Sequence, residues 1–280
     1  MIERLSKEEM ALLASVWKDV VKTARRAIRE RRLPPLASRR FHAGFCPICD
    51  ARTIFVQTTP NLREDYLCVS CRSIPRFRAV LAVLELHFPD WRAMAIHESS
   101  PGGASSDKIR RECSGYIGSQ WFPDGVAGAM KDGFRCENLE QQTFEDARFD
   151  MVLTQDVFEH VLHPDHAFGE IARTLKPGGV HLFTLPWHYW QPTRVRAREE
   201  NGVVRHLLEA QYHGNPIDAK GSLVVTDWGW DLCDFIKVHS GLDTTAIRIH
   251  DRRQGIEAQF IEVFISRKHD RDQPDTAHNS

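Results

Sequence analysis

Four cysteines stand in two pairs, Cys46-x2-Cys49 and Cys68-x2-Cys71, with 18 residues between the pairs. That separation falls inside the spacing of paired CxxC zinc sites, about 15 to 20 residues. A tight turn at each pair aims both sulfurs at one point, and two such turns build a tetrahedral thiolate cage with Zn–S of about 2.3 Å. Pro47 and the run Ser70-Cys71-Arg72-Ser73 suit turns of this kind. Because Cys46, Cys49, Cys68 and Cys71 would fill all four positions, none is open to a substrate. The spacing therefore predicts a structural zinc ion. Two other readings stand beside it: four reduced thiols without a metal, and a redox CxxC, which has no need of a second pair. Cys113, Cys136 and Cys233 read as small buried residues.

The second informative stretch is residues 149–185, FDMVLTQDVFEHVLHPDHAFGEIARTLKPGGVHLFTL. Met151, Val152 and Leu153 form a short apolar run, which predicts a buried strand over 150–154. An acidic turn and short helix are expected over 155–161. Ala167, Phe168, Ile171, Ala172 and Leu175 recur at helical spacing, which predicts a helix over 164–175. Lys176-Pro177-Gly178-Gly179 reads as its stop, since Pro cannot continue a helix and Gly accepts positive φ. A second buried strand is expected over 180–185.

Around these stretches the chain has 280 residues, enough for one α/β domain with an appendage. Hydrophobic content of 42% and charged content of 27% are ordinary for a globular protein. The net charge of -1 gives the whole chain no bias toward nucleic acid or membrane. Residues 1–42 are the exception, with 11 Lys/Arg against 5 Asp/Glu. A solvated helix face is one reading of that excess and an acidic partner the other. No apolar run approaches the roughly 18 residues of a membrane span. The opening MIERLSKEEM has no signal-peptide core, so the expectation is a cytoplasmic chain with reduced cysteines.

Residues 6–32 read as an amphipathic helix opened by a Ser6/Glu9 capping box, with an apolar stripe of Leu13, Trp17, Val20, Val21, Ala24 and Ile28. Pro34-Pro35 ends it. A helix is expected over 75–88 with Ser73 as its cap, and core strands over 92–97 and 116–120. In the aromatic and charged stretch 186–230, Asn201-Gly202 between two short strand-like runs is a hairpin signal. A helix over 231–239 and a closing strand pair, 245–250 with 258–266, complete the expected elements. The polar tail, HDRDQPDTAHNS, is expected to be disordered.

The combined pattern FDxVxxxDVxEHV…AxxEIARxLKPGG resembles the second half of a class I S-adenosylmethionine (SAM) dependent methyltransferase of the type 11 kind. The resemblance implies an α/β fold: a Rossmann-like, doubly wound, seven-stranded sheet, here with an N-terminal helix and a small zinc knuckle. The implied domains are 1–40, an N-terminal helix and linker; 41–74, the zinc-binding module; 75–268, the methyltransferase domain with 186–230 as substrate lid; and 269–280, the tail. Any doubly wound α/β domain could show the same order of elements, though not this wording.

The resemblance also implies a cofactor site at the carboxyl ends of the strands. Its first motif falls on Ile96–Ala104, with Glu98 as the acidic residue and Ser100, Gly102 and Ala104 where the family has three glycines. Small side chains there let the backbone approach the methionine part of SAM, and Gly103 lies in the same loop. Two of the three glycines are missing. The ribose position offers Ser119, Gln120 and Asp124, none of them a clean match. Asn138-Leu139 takes the place of the family's adenine loop, where an amide can both accept and donate. Thr154 and Gln155 fall where the family's backbone meets the SAM amino group.

Methyl transfer from a sulfonium needs mainly alignment of donor and acceptor. By the same resemblance Gln155, Asp156, Glu159 and His160 lie above the methyl position. Three roles are open for Asp156, Glu159 and His160. They could support the loop by hydrogen bonds, hold a divalent ion with His188 or His213 completing the set, or leave His160 or His188 as a general base. Trp187, Tyr189, Trp190, Tyr212, Trp228 and Trp230 could stack on an acceptor or pack the lid. The expected function is SAM-dependent methylation of a small-molecule or saccharide-like acceptor. An alternative is an RNA substrate met by Arg25, Arg26, Arg29, Arg31, Arg32, Arg39, Arg40, Arg52, Arg72, Arg76 and Arg78. Another is a non-catalytic scaffold that has lost SAM.

Overall fold

In the computed structural model, residues 41–214 and 220–269 are described. The expected 6–32 helix, seven of the eleven arginines (Arg25 to Arg40) and nearly all of the expected tail lie outside them. The described residues divide into two compact units, one of 41–78 with 250–259, the other of the rest between 79 and 269.

The first unit is a three-stranded antiparallel sheet of β1 (Phe41–Cys46), β2 (Ala51–Gln57) and β3 (Tyr66–Cys68), in that order. Cys46 closes β1 and Cys68 closes β3, so each CxxC pair begins at a strand end and finishes in the following turn. Asp50 and Arg72 adopt left-handed φ of 50° and 58° just after Cys49 and Cys71, which completes the two turns. Residues 250–259 carry a 3-10 turn whose Asp251 side chain accepts from the N–H groups of Arg253 and Gln254. Close packing follows: a Cβ added at Gly44 would lie 2.1 Å from the Arg253 carbonyl oxygen. Arg78 is wholly buried. Its guanidinium donates to the carbonyls of Tyr66 (2.8 Å), Gly255 (2.7 Å) and Ser73, and stacks on Phe55 at 4.6 Å.

The second unit is built on one mixed sheet. Its strands are β4 (Ala95–Ser99), β5 (Gly115–Gln120), β6 (Met130–Lys131), β7 (Phe134–Cys136), β8 (Phe149–Gln155), β9 (Leu175–Thr184), and later β17 (Asp243–Ile247) and β18 (Val263–Arg267). Their order is β17-β18-β9-β8-β4-β5-β7-β6. The central strands β7, β5, β4, β8 and β9 run parallel, while β18 is antiparallel to β9 and to β17. This is the doubly wound Rossmann-like sheet expected. The eighth strand is the two-residue β6, folded back on β7 as a small hairpin. The apolar run in β8 is buried on both faces, as a central parallel strand requires.

Between β9 and β17 lie seven short strands: β10 (Trp187–His188), β11 (Arg194–Val195), β12 (Ala197–Glu200), β13 (Val203–His206), β14 (Tyr212–His213), β15 (Ser222–Leu223) and β16 (Thr226–Gly229). β12 and β13 form the hairpin expected from Asn201-Gly202, whose φ values of 53° and 75° give the two left-handed residues a tight turn needs. Two expectations are corrected. Residues 155–161 form no helix; they are the end of β8 and an irregular turn. Lys176-Pro177-Gly178-Gly179 does not follow the helix as its stop, because the helix Pro164–Thr174 has already ended and this run forms the irregular start of β9.

Candidate functional site

The order of the strands locates the site. From β4 the chain winds outward to β5 on one side and then returns to place β8 on the other. The crevice outside the carboxyl ends of β4 and β8 is therefore the topological switch point, where open α/β sheets bind ligands. Glu98 and Ser99 end β4 there, and Thr154 and Gln155 end β8.

Glu98 is buried and accepts three hydrogen bonds. Ser106 Oγ (2.7 Å) and Gln155 Nε2 (2.8 Å) donate to Oε1, and the Tyr116 hydroxyl (2.8 Å) donates to Oε2. Burial pushes its carboxyl above the usual range, and these donors act against that shift. Gln155 in turn accepts from Ser105 Oγ at 3.0 Å. This network joins the ends of β4 and β8 and the start of β5 to the first turn of the helix Gly103–Glu112. The loop between is held open: Ser100 (φ 55°) donates its N–H to the Ser119 carbonyl, and Gly103 has φ 79°. Gly102 is extended, with φ -161°, and a Cβ added to it would meet nothing within 4 Å. The N–H and carbonyl of Gly102 are both taken by Ser106 Oγ, at 3.0 Å each, so Gly102 contributes room rather than donors beside the helix N-terminus, where an anionic group is favoured.

The other expected cofactor residues divide. Thr154 is buried, and its hydroxyl lies 3.0 Å from His181 Nε2. Ser119 is also turned inward, its Oγ 2.7 Å from His97 Nε2. Its hydroxyl is committed to the interior, and the next residue, Gln120, is the half-exposed one at that strand end. Asn138 is half-buried and accepts the Glu140 N–H at 3.0 Å, so its oxygen has one lone pair left for another donor. Leu139 belongs to the hydrophobic core. Glu137, which heads this Glu137-Asn138-Leu139 stretch, fixes the loop by accepting from Arg135 Nε (2.6 Å), Thr143 N (2.8 Å) and Thr143 Oγ1 (2.6 Å).

On the turn after β8, Asp156 has φ 53° and accepts from Thr184 Oγ1 at 2.9 Å. Its carboxylate is tied to β9, whereas Glu159 and His160 meet His213. One ligand atom from each of these three lies within 4.8 Å of the others. The expected Asp156/Glu159/His160 set is thus corrected to Glu159/His160/His213. Burial holds His160 below the usual imidazole pKa. His188 packs instead against the rings of Trp190 and Phe260, and burial lowers its pKa as well. The aromatic residues of the insertion split between the two roles expected. Trp187 donates Nε1–H to the Gly229 carbonyl at 2.7 Å and Trp228 is core, while Tyr189, Trp190 and Trp230 are exposed.

In the first unit the four sulfurs converge within 4.8 Å. Cys46 and Cys71 are 3.7 Å apart, and Cys49 and Cys68 are 3.9 Å apart. Four sulfurs about 2.3 Å from a central zinc stand about 3.8 Å from one another, so the cage fits the ion. The separations are far beyond the about 2.05 Å of a disulfide. Burial, with the neighbouring Cys46, pushes the Cys49 thiol up to about 12. Four thiolates could not coexist here without a cation.

Residues 103–183 match the family model described as a methyltransferase domain. No curated protein matches the chain. Among solved structures, a chain of the complex between the Haloferax volcanii Trm112 methyltransferase activator and a methyltransferase is similar at 17% identity and TM-score 0.45, over 71% of this chain and 92% of that one. The SAM-bound amino pentose methyltransferase CalS10 of Micromonospora echinaspora gives 14%, 0.46, 70% and 92% by the same measures. The Burkholderia thailandensis 1,6-didemethyltoxoflavin N1-methyltransferase gives 14%, 0.43, 70% and 79%.

Proposed function

We propose that this chain, which carries a methyltransferase domain, transfers a methyl group from SAM to a small-molecule or saccharide-like acceptor. The observation that carries the reading is the Glu98–Ser106–Gln155 network at the switch point, inside and beside the matched residues. SAM supplies an activated methyl on a sulfonium. The protein's own part is to bind and align. The first turn of the helix Gly103–Glu112, with the room beside Gly102, takes the carboxylate end, Gln155 and the loop after β8 flank the amino end, and Asn138 meets the adenine. The exposed rings of Tyr189, Trp190 and Trp230 offer apolar faces to an acceptor. The Cys46/Cys49/Cys68/Cys71 cluster holds a structural zinc that braces β1 to β3.

The RNA alternative loses one of its cations, because Arg78 is buried against three carbonyls and cannot reach a phosphate. A direct test incubates the zinc-loaded chain with SAM and either a panel of hydroxylated and glycosidic small molecules or total RNA. S-adenosylhomocysteine is then measured. Turnover on small acceptors, insensitive to salt, supports the proposal. Turnover on RNA alone, falling steeply with salt, would replace it.

A further inference from the structure

We infer that Glu159, His160 and His213 form a second metal site, for a divalent transition-metal ion, separate from the cysteine cluster. His213 lies 53 residues beyond His160 in the sequence, on β14. The fold brings it back to the turn after β8.

The site is built from several sides. Glu159 is 1% exposed, and its backbone carbonyl accepts the N–H groups of Val225 (2.6 Å) and Thr226 (3.2 Å). Trp228 Nε1–H donates to the Phe158 carbonyl at 3.1 Å, so the turn is clamped by β16 and the residues before it. His160 Nδ1–H donates to the Leu223 carbonyl at 2.8 Å. A carbonyl only accepts, so the proton sits on Nδ1 and, in the neutral ring, Nε2 carries the lone pair. Such an outer hydrogen bond is what orients a metal-ligating imidazole. The same Leu223 is on β15, which pairs with β14 and so positions His213.

The distances point to an ion between the groups rather than to bonds among them. His160 Nε2 and His213 Nδ1 stand 3.7 and 3.8 Å from Glu159 Oε1. Both are beyond hydrogen-bond length. Two ligand atoms about 2.1 Å from a tetrahedral ion stand about 3.4 Å apart, so a few tenths of an ångström of contraction would complete the shell. The two rings meet edge to face at 5.2 Å. Two imidazoles and one carboxylate suit zinc, manganese, iron or cobalt rather than calcium or magnesium, which prefer all-oxygen shells. Three protein ligands leave coordination positions for an outside oxygen, and the partly exposed His213 marks the side from which it enters. Its use as a Lewis acid on the acceptor rests on the methyl-transfer reading; the site itself does not.

The test is metal stoichiometry on the full chain. After chelation, the protein is reloaded with Co2+ and its spectrum recorded. The expected result is two equivalents per chain: one with thiolate charge-transfer absorption from the cysteine cluster, and one with d–d bands alone. His213→Ala and, separately, Glu159→Gln should each remove the second equivalent and leave the thiolate bands and the melting curve unchanged. One equivalent in the unsubstituted chain, or a second that survives both substitutions, would overturn the inference. SAM binding measured on the same samples separates the two ideas. Retained SAM binding with one metal sinks the second site alone, and absent SAM binding with two metals sinks only the methyl-transfer reading.

Discussion

Glu98 is the residue on which the hydrogen bonds of the crevice converge. It sits in the interior at 1% exposure, and three donors face it. Glu98→Ala would take the carboxylate acceptor from Gln155 and Tyr116, while Ser106 keeps the Gly102 carbonyl. Each stranded donor costs about 1–3 kcal/mol, so the variant should lose several kcal/mol of stability and weaken SAM binding, as urea unfolding and calorimetry would report. Two buried histidines that the sequence did not mark, His97 on β4 and His181 on β9, make a second prediction. Burial lowers both to a pKa of about 3. Between about 3 and the unfolded value near 6.5, the unfolded chain binds a proton at each and the folded chain does not. Their contribution is therefore complete above about 6.5 and is lost as pH falls toward 3, by about 1.4 kcal/mol per unit for each. Urea unfolding between pH 7.5 and 5 should show that slope, and His181→Gln should halve it. A flat profile would contradict the neutral assignment.

Among the elements, the turn after β8 shows how tertiary bonds set local structure. The pattern of residues 155–161 suggested a short helix. In the fold, the carbonyls of Phe158 and Glu159 are taken by Trp228 Nε1 and by the N–H groups of Val225 and Thr226. Those partners lie some 65 residues away, and no local periodicity announces them. Trp228→Phe should remove the Nε1 bond and cost about 1–3 kcal/mol, counting the lost ring volume. His213 should then bind metal less tightly, which Co2+ titration would register. The strands with short apolar runs and the Asn201-Gly202 hairpin were legible because their signals are local. The convergence of the four cysteines was legible from spacing. The partner of Glu159 and His160 was only one of two candidates, since sequence offered His188 and His213 equally. The inward turn of Ser119 was hidden because strand alternation, not residue type, decides it. Signature residues also gained physical reasons. Asp150 accepts the Ala95 N–H (2.8 Å) and the Lys176 ammonium (2.8 Å), which ties β8 to β4 and β9. Arg173 joins Glu170 to Asp146 and to the Phe144 carbonyl, which anchors the helix Pro164–Thr174.

For the molecule as a whole, the two units answer to different forces. The second has a broad apolar core around Phe158, Phe168, Phe183 and Trp228. The first is a small three-stranded sheet, and domains of that size commonly need a metal. Chelation of the proposed zinc should therefore open residues 41–78 and 250–259 to protease while the sheet of the second unit stays protected, as mass spectrometry of the fragments would reveal. Equal resistance with and without chelator would remove the structural role of the metal. Whether the crevice at β4 and β8 holds SAM is decided by calorimetry on zinc-loaded protein with Gly102→Arg beside it. Position 102 is extended and faces open space, so arginine strains nothing in the backbone and fills only the cradle. On the methyl-transfer reading SAM binds with affinity on the order of micromolar, within the range of enzyme substrates, and that binding is lost in a variant that melts at the same temperature. A folded, zinc-loaded chain that binds no SAM, or a variant that binds it equally well, would contradict that reading.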